Sequence, residues 1–464
     1  MVKEIPGFYY DPEKKKYFRI QANHVAPAGF QYSRDAVKKR QIQKEQHDRH
    51  AILGRRTAKE RVKRATSLTH PLLTRVGTEV GEQRTPGFVI QAQQGKAYAS
   101  QLQRRELCKF NREGPELSIV DFARNNRTGV IIVGINHGDT SQITICPPYS
   151  GDTDKWSYQP AREAVICVEQ YRLSSLSLSH TGYFLMTMDS GPKGDSCLVT
   201  KVLPDPEIEG AYPWSYHQVS ASSNRIRDRG TLWCSTARPT GEKPFWAIGT
   251  SDGLHTLEGE QGHWLLGRRR MPRSDSTSRE MKQAFDIMTV EWLTPDVIVS
   301  GLRNSAIFLY DLRSNGWVRR LQHAHSVAKV CKVDEYRLVV AGYKSLEMYD
   351  LRYPINGIQA TPRPNRAGHT STKPYLSFPE YQSSLAHKID ISQELGLLAS
   401  CTDDHNIQLF SLADGSLVSS PASNYQHSHP ISRIWFENGD YPARDGQASR
   451  LLVSSGPVVE EWTW

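Results

Sequence analysis

V-I-V-S-G-L-R-N-S-A-I-F-L-Y-D-L-R, from Val297 to Arg313, is followed by a shortened copy of itself, R-L-V-V-A-G-Y-K-S-L-E-M-Y-D-L-R, from Arg337 to Arg352. Both close on Tyr-Asp-Leu-Arg, and the two tetrapeptides, Tyr310–Arg313 and Tyr349–Arg352, start 39 residues apart. Each copy sets a short apolar run ending in small residues, then a turn, then a second apolar run. A repeat of this kind with a period near about 40 residues is the sequence form of β-propeller blades.

The pattern has a physical cause. Val297 to Ser300 and Ile307 to Tyr310 carry apolar side chains at both parities, which suits strands buried on both faces, as stacked blades require. Leu397 to Phe410 repeats the arrangement with Asp404 in its turn, and Ile431 to Phe436, Leu451 to Ser455 and Val458 to Trp462 supply three strands of a last blade. Phe245 to Leu257, preceded by Thr231 to Ser235, is a weaker copy, as are Leu176 to Val202 and Leu117 to Pro147. Seven blades are therefore expected, over 117–147, 173–203, 231–258, 287–315, 325–353, 387–415 and 429–462. The last shows only three strands before Trp464, so a ring-closing strand is expected from Ala97–Phe110.

The chain has 464 residues, and a propeller accounts for most of them as one domain. Its seven cysteines form no C-x-x-C pair, which argues against a zinc site or a disulfide framework and for a reducing compartment. No stretch approaches about 18 consecutive apolar residues, and the first residues, M-V-K-E-I-P-G, lack the apolar centre of a signal peptide. A soluble protein of the nucleus, the cytoplasm or both is expected, with no membrane partner. Charge is uneven: residues 1–64 hold 17 Lys and Arg against 7 Asp and Glu, while the remainder holds 41 against 42.

The expected organisation is an aromatic motif over 1–32, a basic helical segment over 33–66, a linker over 67–96 and the propeller over 97–464. Pro6 to Ile20 reads P-G-F-Y-Y-D-P-E-K-K-K-Y-F-R-I, a hairpin or extended peptide whose rings (Phe8, Tyr9, Tyr10, Tyr17, Phe18) need another surface, because fifteen residues cannot build a core. That surface is either the chain's own propeller or a partner. Ser33 to Thr66 has an N-cap serine, no proline and many Lys, Arg, Gln and Glu, which predicts helices over 33–53 and 55–66 divided at Gly54. So polar a pair of helices is either solvated or docked on a partner.

The propeller repeats resemble the WD-repeat family, in which a His opens the inner strand, Ser or Thr ends the second, Asp holds the turn and Trp-Asp ends the third. His387, Ser400, Asp404 and Phe410 match most fully; His325, Ser300 and Asn304 match in part, and Tyr310 and Tyr349 stand where Trp is usual. Asp404 is expected to accept hydrogen bonds from its turn and from His387. Residues Pro6 to Arg19, the basic segment and the propeller together resemble the substrate receptors of cullin-4 RING ubiquitin ligases, of the DCAF-four type, whose chains open on P-G-F-Y-(F/Y)-D-x-E-K-x-(R/K)-Y-F-R. The resemblance implies a non-catalytic receptor that links a protein substrate, unknown from sequence, to the ligase adaptor, the large subunit of the damage-specific DNA-binding protein. It implies adaptor contacts at Asp311, Arg313, Asp350 and Arg352, a docking motif of Phe8, Tyr9, Tyr10, Tyr17, Phe18 and Arg19, and adaptor docking by the helices of 33–66. Asp and Arg two residues apart project to one side of a strand, so the carboxylate can orient the guanidinium fork. The same Asp-x-Arg spacing also serves as an internal ion pair.

A second function remains open: a WD-repeat scaffold in a nuclear RNA or chromatin complex, with the basic segment on nucleic acid. That partner is not favoured, since a basic run alone is a weak signal. His323/His325 and His427/His429 read as structural residues rather than metal ligands, and Gly267 to Arg273 reads as a basic loop between blades. The insert Pro354–Pro379 is long enough to cross one face of the ring. No Ser/His/Asp set and no phosphate loop occurs, so neither enzyme activity nor a cofactor is expected.

Overall fold

A computed structural model describes residues 8–11, 15–20, 37–39, 42–43, 46, 87–110, 118–125, 128–149, 157–158, 164–188, 196–203, 222–224, 230–260, 263–269, 286–352, 372–381, 383, 388–437 and 449–463. The chain divides into two compact units, Met1–Gln83 and Arg84–Trp464.

The second unit is a seven-bladed propeller of four-stranded antiparallel sheets. Its inner strands, in blade order, are Ser118–Arg124, Leu173–Leu178, Leu232–Ala237, Ile287–Thr294, Val327–Lys332, Ile389–Ser392 and Ile431–Glu437. The quoted repeat forms blade four: Val297–Leu302 and Ala306–Asp311 are its second and third strands, with Ser300 opposite Phe308. Val299 and Ile307 are fully buried and join Val327, Val340 and Tyr349 of blade five in one cluster. That is why both parities are apolar: one face packs on the blade before, the other on the blade after.

Small residues at the ends of the second strands have a steric origin. A Cβ on Gly301 would lie 2.4 Å from Val327 Cγ1 and 2.7 Å from Thr289 Cγ2, so the next blade's inner strand fits only against glycine. Gly249, whose added Cβ would meet Cys234 Sγ and Ile287 O at 2.6 Å, repeats the device one blade earlier.

The ring closes with a strand from far upstream. Gln103–Lys109 pairs with Val458–Thr463, Gln103 opposite Thr463 and Lys109 opposite Val458, as the outer strand of blade seven. Helix Gly87–Ser100 precedes it and lies against blade six: a Cβ on Gly95 would fall 2.4 Å from Leu395 O, and Gln91 Nε2 donates to Glu394 O at 3.2 Å. Tyr98, Ala99 and Leu102 are buried with Leu397, Ile434 and Trp462. The compact unit thus begins at Arg84, and the boundary expected at residue 97 falls inside a helix that packs on the propeller.

Two further expectations change. His263–Arg269 is the seven-residue outer strand of blade three, so the segment read as a basic loop from Gly267 starts inside a strand whose side chains are mostly exposed. The insert Pro354–Pro379 delivers the outer strand of blade five, Leu376–Ser377, with Ser377 opposite Glu347; its residues up to 371 lie outside the described set.

In the first unit the aromatic motif is a hairpin. Phe8–Asp11 pairs with Lys16–Arg19, placing Phe8 opposite Arg19, Tyr9 opposite Phe18 and Tyr10 opposite Tyr17. Lys15 takes a positive φ of 49° in the turn. Of the expected helix over 33–53, residues 37–39, 42, 43 and 46 are described and are helical; the expected helix over 55–66 lies outside the described residues.

Candidate functional site

In an antiparallel four-stranded blade the first–second and third–fourth turns fall at one end, and the Asp-Leu-Arg sequences sit there. Asp311 is the last residue of the third strand of blade four, and Arg313 follows in the turn to Gly316–Gln322. Asp350 and Arg352 take the same places in blade five. The leucine between them anchors each turn: Leu312 N donates to Asp296 O at 2.9 Å and Leu351 N to Tyr336 O at 2.7 Å, each in its blade's first–second turn. With the middle residue turned inward, both arginines face out.

Each pair is a fork on a carboxylate. Arg352 donates from Nε to Asp350 Oδ1 at 3.0 Å and from Nη2 to Oδ2 at 2.7 Å, while its backbone N donates to Oδ1 at 2.9 Å. Arg313 repeats this on Asp311 at 3.2, 3.2 and 2.9 Å. These hydrogen bonds hold both carboxyls below their ordinary range. The guanidinium of Arg352 also lies 4.8 Å over the ring of Tyr336, itself exposed. The arginine side chains remain 70% and 51% exposed, so each is oriented without being covered. Exposed pairs of this sort add little to stability.

The opposite end holds the ties between strands. His323, fully buried, shares hydrogen bonds with Tyr349 Oη at 2.8 Å and Ser345 Oγ at 2.9 Å, and its Nδ1 lies 3.4 Å from the Glu347 carboxylate. In blade seven His427 meets Glu460 Oε1 at 2.5 Å, Trp462 Nε1 donates to the same oxygen at 3.1 Å, and Arg104 Nε of the ring-closing strand donates to Oε2 at 2.5 Å. Burial works to raise the carboxyls of Glu347 and Glu460, but their histidine hydrogen bonds prevail and both lie below the usual range. The sequence reading placed His325 in this role; His325 is exposed, and His323 makes the tie. Neither glutamate was picked out, although each stands two residues before the Tyr or Trp that ends its strand.

The carboxylate expected at Asp404 is also different. Asp404 is exposed, and the aspartate that meets the connection into the blade is Asp403, which accepts from Ser383 Oγ at 3.5 Å. Its expected partner His387 lies outside the described residues. In blade four Ser300 is fully buried with no partner for its hydroxyl among the described residues, while Asn304 accepts from Ala306 N at 3.1 Å as a turn residue. Asp404→Ala is accordingly expected to change stability by no more than about 0.5 kcal/mol, measurable by urea unfolding.

Fission-yeast WD repeat-containing protein 21 aligns with the chain end to end, 22% identical over 472 residues that cover 98% of this chain and 96% of that one. The β-propeller domain of Cps50 (Swd1) from Myceliophteria thermophila superposes with a TM-score of 0.50 at 12% identity, over 78% of this chain and all of that domain. The WD40 propeller domain of Doa1 superposes at 0.51 and 10% identity, over 78% of this chain and 97% of that one. The chain has the β-propeller fold of these structures and is similar to a WD-repeat protein over its whole length. No protein-family model matches it.

The centre of the propeller is lined by the inner strands. In six of the seven, a register shift lies near the start of the pairing, between Ile119 and Asp121, Leu173 and Ser175, Leu232 and Cys234, Ile287 and Thr289, Val327 and Lys329, and Ile431 and Arg433. The shift aligns one residue per blade around the axis: Asp121, Ser175, Cys234 and Thr289 from blades one to four, Lys329 and Arg433 from blades five and seven. Lys388 of blade six, next to Ile389 opposite Ser400, takes the same level that Thr289 holds next to Val290 opposite Ser300. Two residues further along, Glu291 and Asp390 face the same space. Among the described residues no three His, Cys, Asp or Glu side chains converge on a metal site, and no helix is long and apolar enough to cross a membrane.

Proposed function

We propose that this WD-repeat propeller is a non-catalytic substrate receptor of a cullin-4 RING ubiquitin ligase, held to the ligase adaptor by Arg313 and Arg352. The observation that supports it is the repetition of one oriented, uncovered arginine fork in two successive blades at the same end of the ring. A single Asp-Arg pair at a strand end reads as an internal tie; two that leave their guanidinium faces to solvent read as a surface prepared for carboxylate or carbonyl acceptors of another protein. Helix Gly87–Ser100 packs on the first–second turn of blade six, at that same end of the ring. The hairpin residues Phe8, Tyr9, Tyr10, Tyr17, Phe18 and Arg19 and the basic segment 33–66 are proposed as additional adaptor contacts. The rest of the ring is left for the substrate. Ubiquitin chemistry belongs to other subunits, and the receptor acts by raising the effective concentration of a target lysine.

The test is a titration of purified adaptor onto wild-type chain, Arg313→Ala, Arg352→Ala and the double variant. Each single change is expected to weaken binding at least about tenfold, the double change more, with melting temperatures little changed because both arginines are largely exposed. A folded double variant that binds as wild type does removes the two arginines from the interface. A wild-type chain that does not bind the adaptor removes the ligase reading and leaves the basic segment to nucleic acid, for which a steep salt dependence of RNA or DNA affinity is the sign.

A further inference from the structure

The inner strands enclose a cavity of about 1550 Å³ on the axis of the ring, and two of the lysines facing it, Lys329 and Lys388, feel the carboxylates of Glu291 and Asp121 without forming a direct ion pair with either. Blades five, six and seven present Lys329, Lys388 and Arg433 side by side at one level. Arg433 is neutralised by Asp121, to whose carboxylate it donates. Lys388 uses one of its three N–H groups on Ile431 O at 2.7 Å. Lys329 makes no hydrogen bond or ion pair among the described residues. The carboxylates one level deeper do not supply these bonds. Glu291 Oε1 accepts from Trp292 N at 2.9 Å and Asp390 Oδ2 from Phe436 N at 2.6 Å, each turned to backbone rather than to a lysine. Burial lifts both carboxyls above their usual range, so the negative charge at that level is weaker than the sequence suggests.

Two lysines of adjacent blades, facing one cavity, keep most of their donors unused. The wall across from them is neutral and rich in hydroxyls: Ser175 and Ser177 both share hydrogen bonds with Ser235, at 2.8 and 3.0 Å. A metal cation has no place among such donors. A group with several acceptor oxygens and negative charge satisfies both lysines at once and gains charge-assisted hydrogen bonds.

We propose that the axial cavity binds an oxyanion, a phosphate or a carboxylate, held between Lys329 and Lys388. The same oxygens are offered by a free small molecule and by a phosphorylated side chain that a partner inserts into the channel. The site is independent of the adaptor reading, since Arg313 and Arg352 lie on the end turns.

Calorimetry and thermal melts of the full chain with inorganic phosphate, with citrate and with a short phosphoserine peptide test this. Saturable binding of at least one probe, with a rise in melting temperature, is expected. Binding of phosphate or citrate alone identifies a small-molecule site, and binding of the peptide alone identifies a partner's side chain. Lys329→Met and Lys388→Met are each expected to weaken that binding at least tenfold. Should either methionine variant fail to fold, the milder Lys329→Gln and Lys388→Gln replace it, and phosphorus NMR line broadening of phosphate by the wild-type chain reads binding without any variant. Absence of binding for all three probes at millimolar concentration, or equal binding by wild type and the lysine variants, overturns the proposal.

Discussion

A chain beginning at Arg84 should melt as a cooperative propeller, whereas one beginning at Asn111 should fail to fold. The difference lies in helix Gly87–Ser100 and strand Gln103–Lys109. The strand supplies the fourth member of blade seven, and without it Val458–Thr463 becomes an unpaired edge. Tyr98, Leu102, Leu107 and Phe110, all buried, leave with it. At about 1.5–3 kcal/mol for each large apolar side chain returned to water, the four together reach about 6–12 kcal/mol, the size of the whole stability of a typical domain, about 5–15 kcal/mol. The ion pairs of Arg104 with Glu460 and Arg105 with Glu461 go too, leaving two buried carboxylates with fewer partners. Circular dichroism melts of the two truncations decide the matter. Cooperative unfolding of the shorter chain at the temperature of the longer one shows that the ring does not need this closure.

The inner three strands of each blade were legible because burial on two faces demands apolar residues at both parities, and the tight approach of the next blade demands Gly301 and its equivalents. Apart from the ring-closing strand, expected from Ala97–Phe110 and found at Gln103–Lys109, fourth strands were not. Ser222–Asn224, Leu376–Ser377 and Leu417–Val418 are two or three residues long and follow segments of varied length, and His263–Arg269 carries Arg268 and Arg269 where a core strand would carry leucine. An outer strand packs on one side only, so hydrophobicity barely constrains it.

Legibility of the candidate sites follows the same physics. The Asp-Leu-Arg turns could be read because all the residues that shape them are local: the carboxylate, the buried leucine and the guanidinium lie within three positions. Lys329, Lys388 and Arg433 could not, since their juxtaposition is made by stacking whole blades and each alone is an ordinary charge on a strand. Asp404 misled for the opposite reason. Its turn has the right residues, but the neighbouring carboxylate, Asp403, points to Ser383.

Glu460→Ala should be the most damaging single substitution that leaves every blade's apolar core intact. Glu460 is 1% exposed in its side chain and joins three partners from separate places in the sequence: His427 before blade seven, Trp462 on its own strand, and Arg104 on the ring-closing strand. Removing one partner of a buried ionic network typically costs about 3–5 kcal/mol, because the donors that remain are neither paired nor hydrated. The penalty should depend on pH in a direction set by the carboxyl's pKa. Burial raises it, yet hydrogen bonds from His427 and Arg104 outweigh burial, and the folded value lies below the unfolded one. A group of that kind stabilises fully above its unfolded pKa, and the contribution is lost as pH falls through the folded value. The gap between wild type and Glu460→Ala should therefore be widest near neutral pH and close on acidification below pH about 4. Glu347→Ala in blade five, where the carboxylate is more exposed and binds no arginine, should show the same trend with a smaller gap. Urea unfolding of both variants at pH 7 and pH 3.5 measures this. A Glu460→Ala protein as stable as wild type at pH 7 means that the His427–Glu460–Arg104 tie contributes nothing to closing the ring.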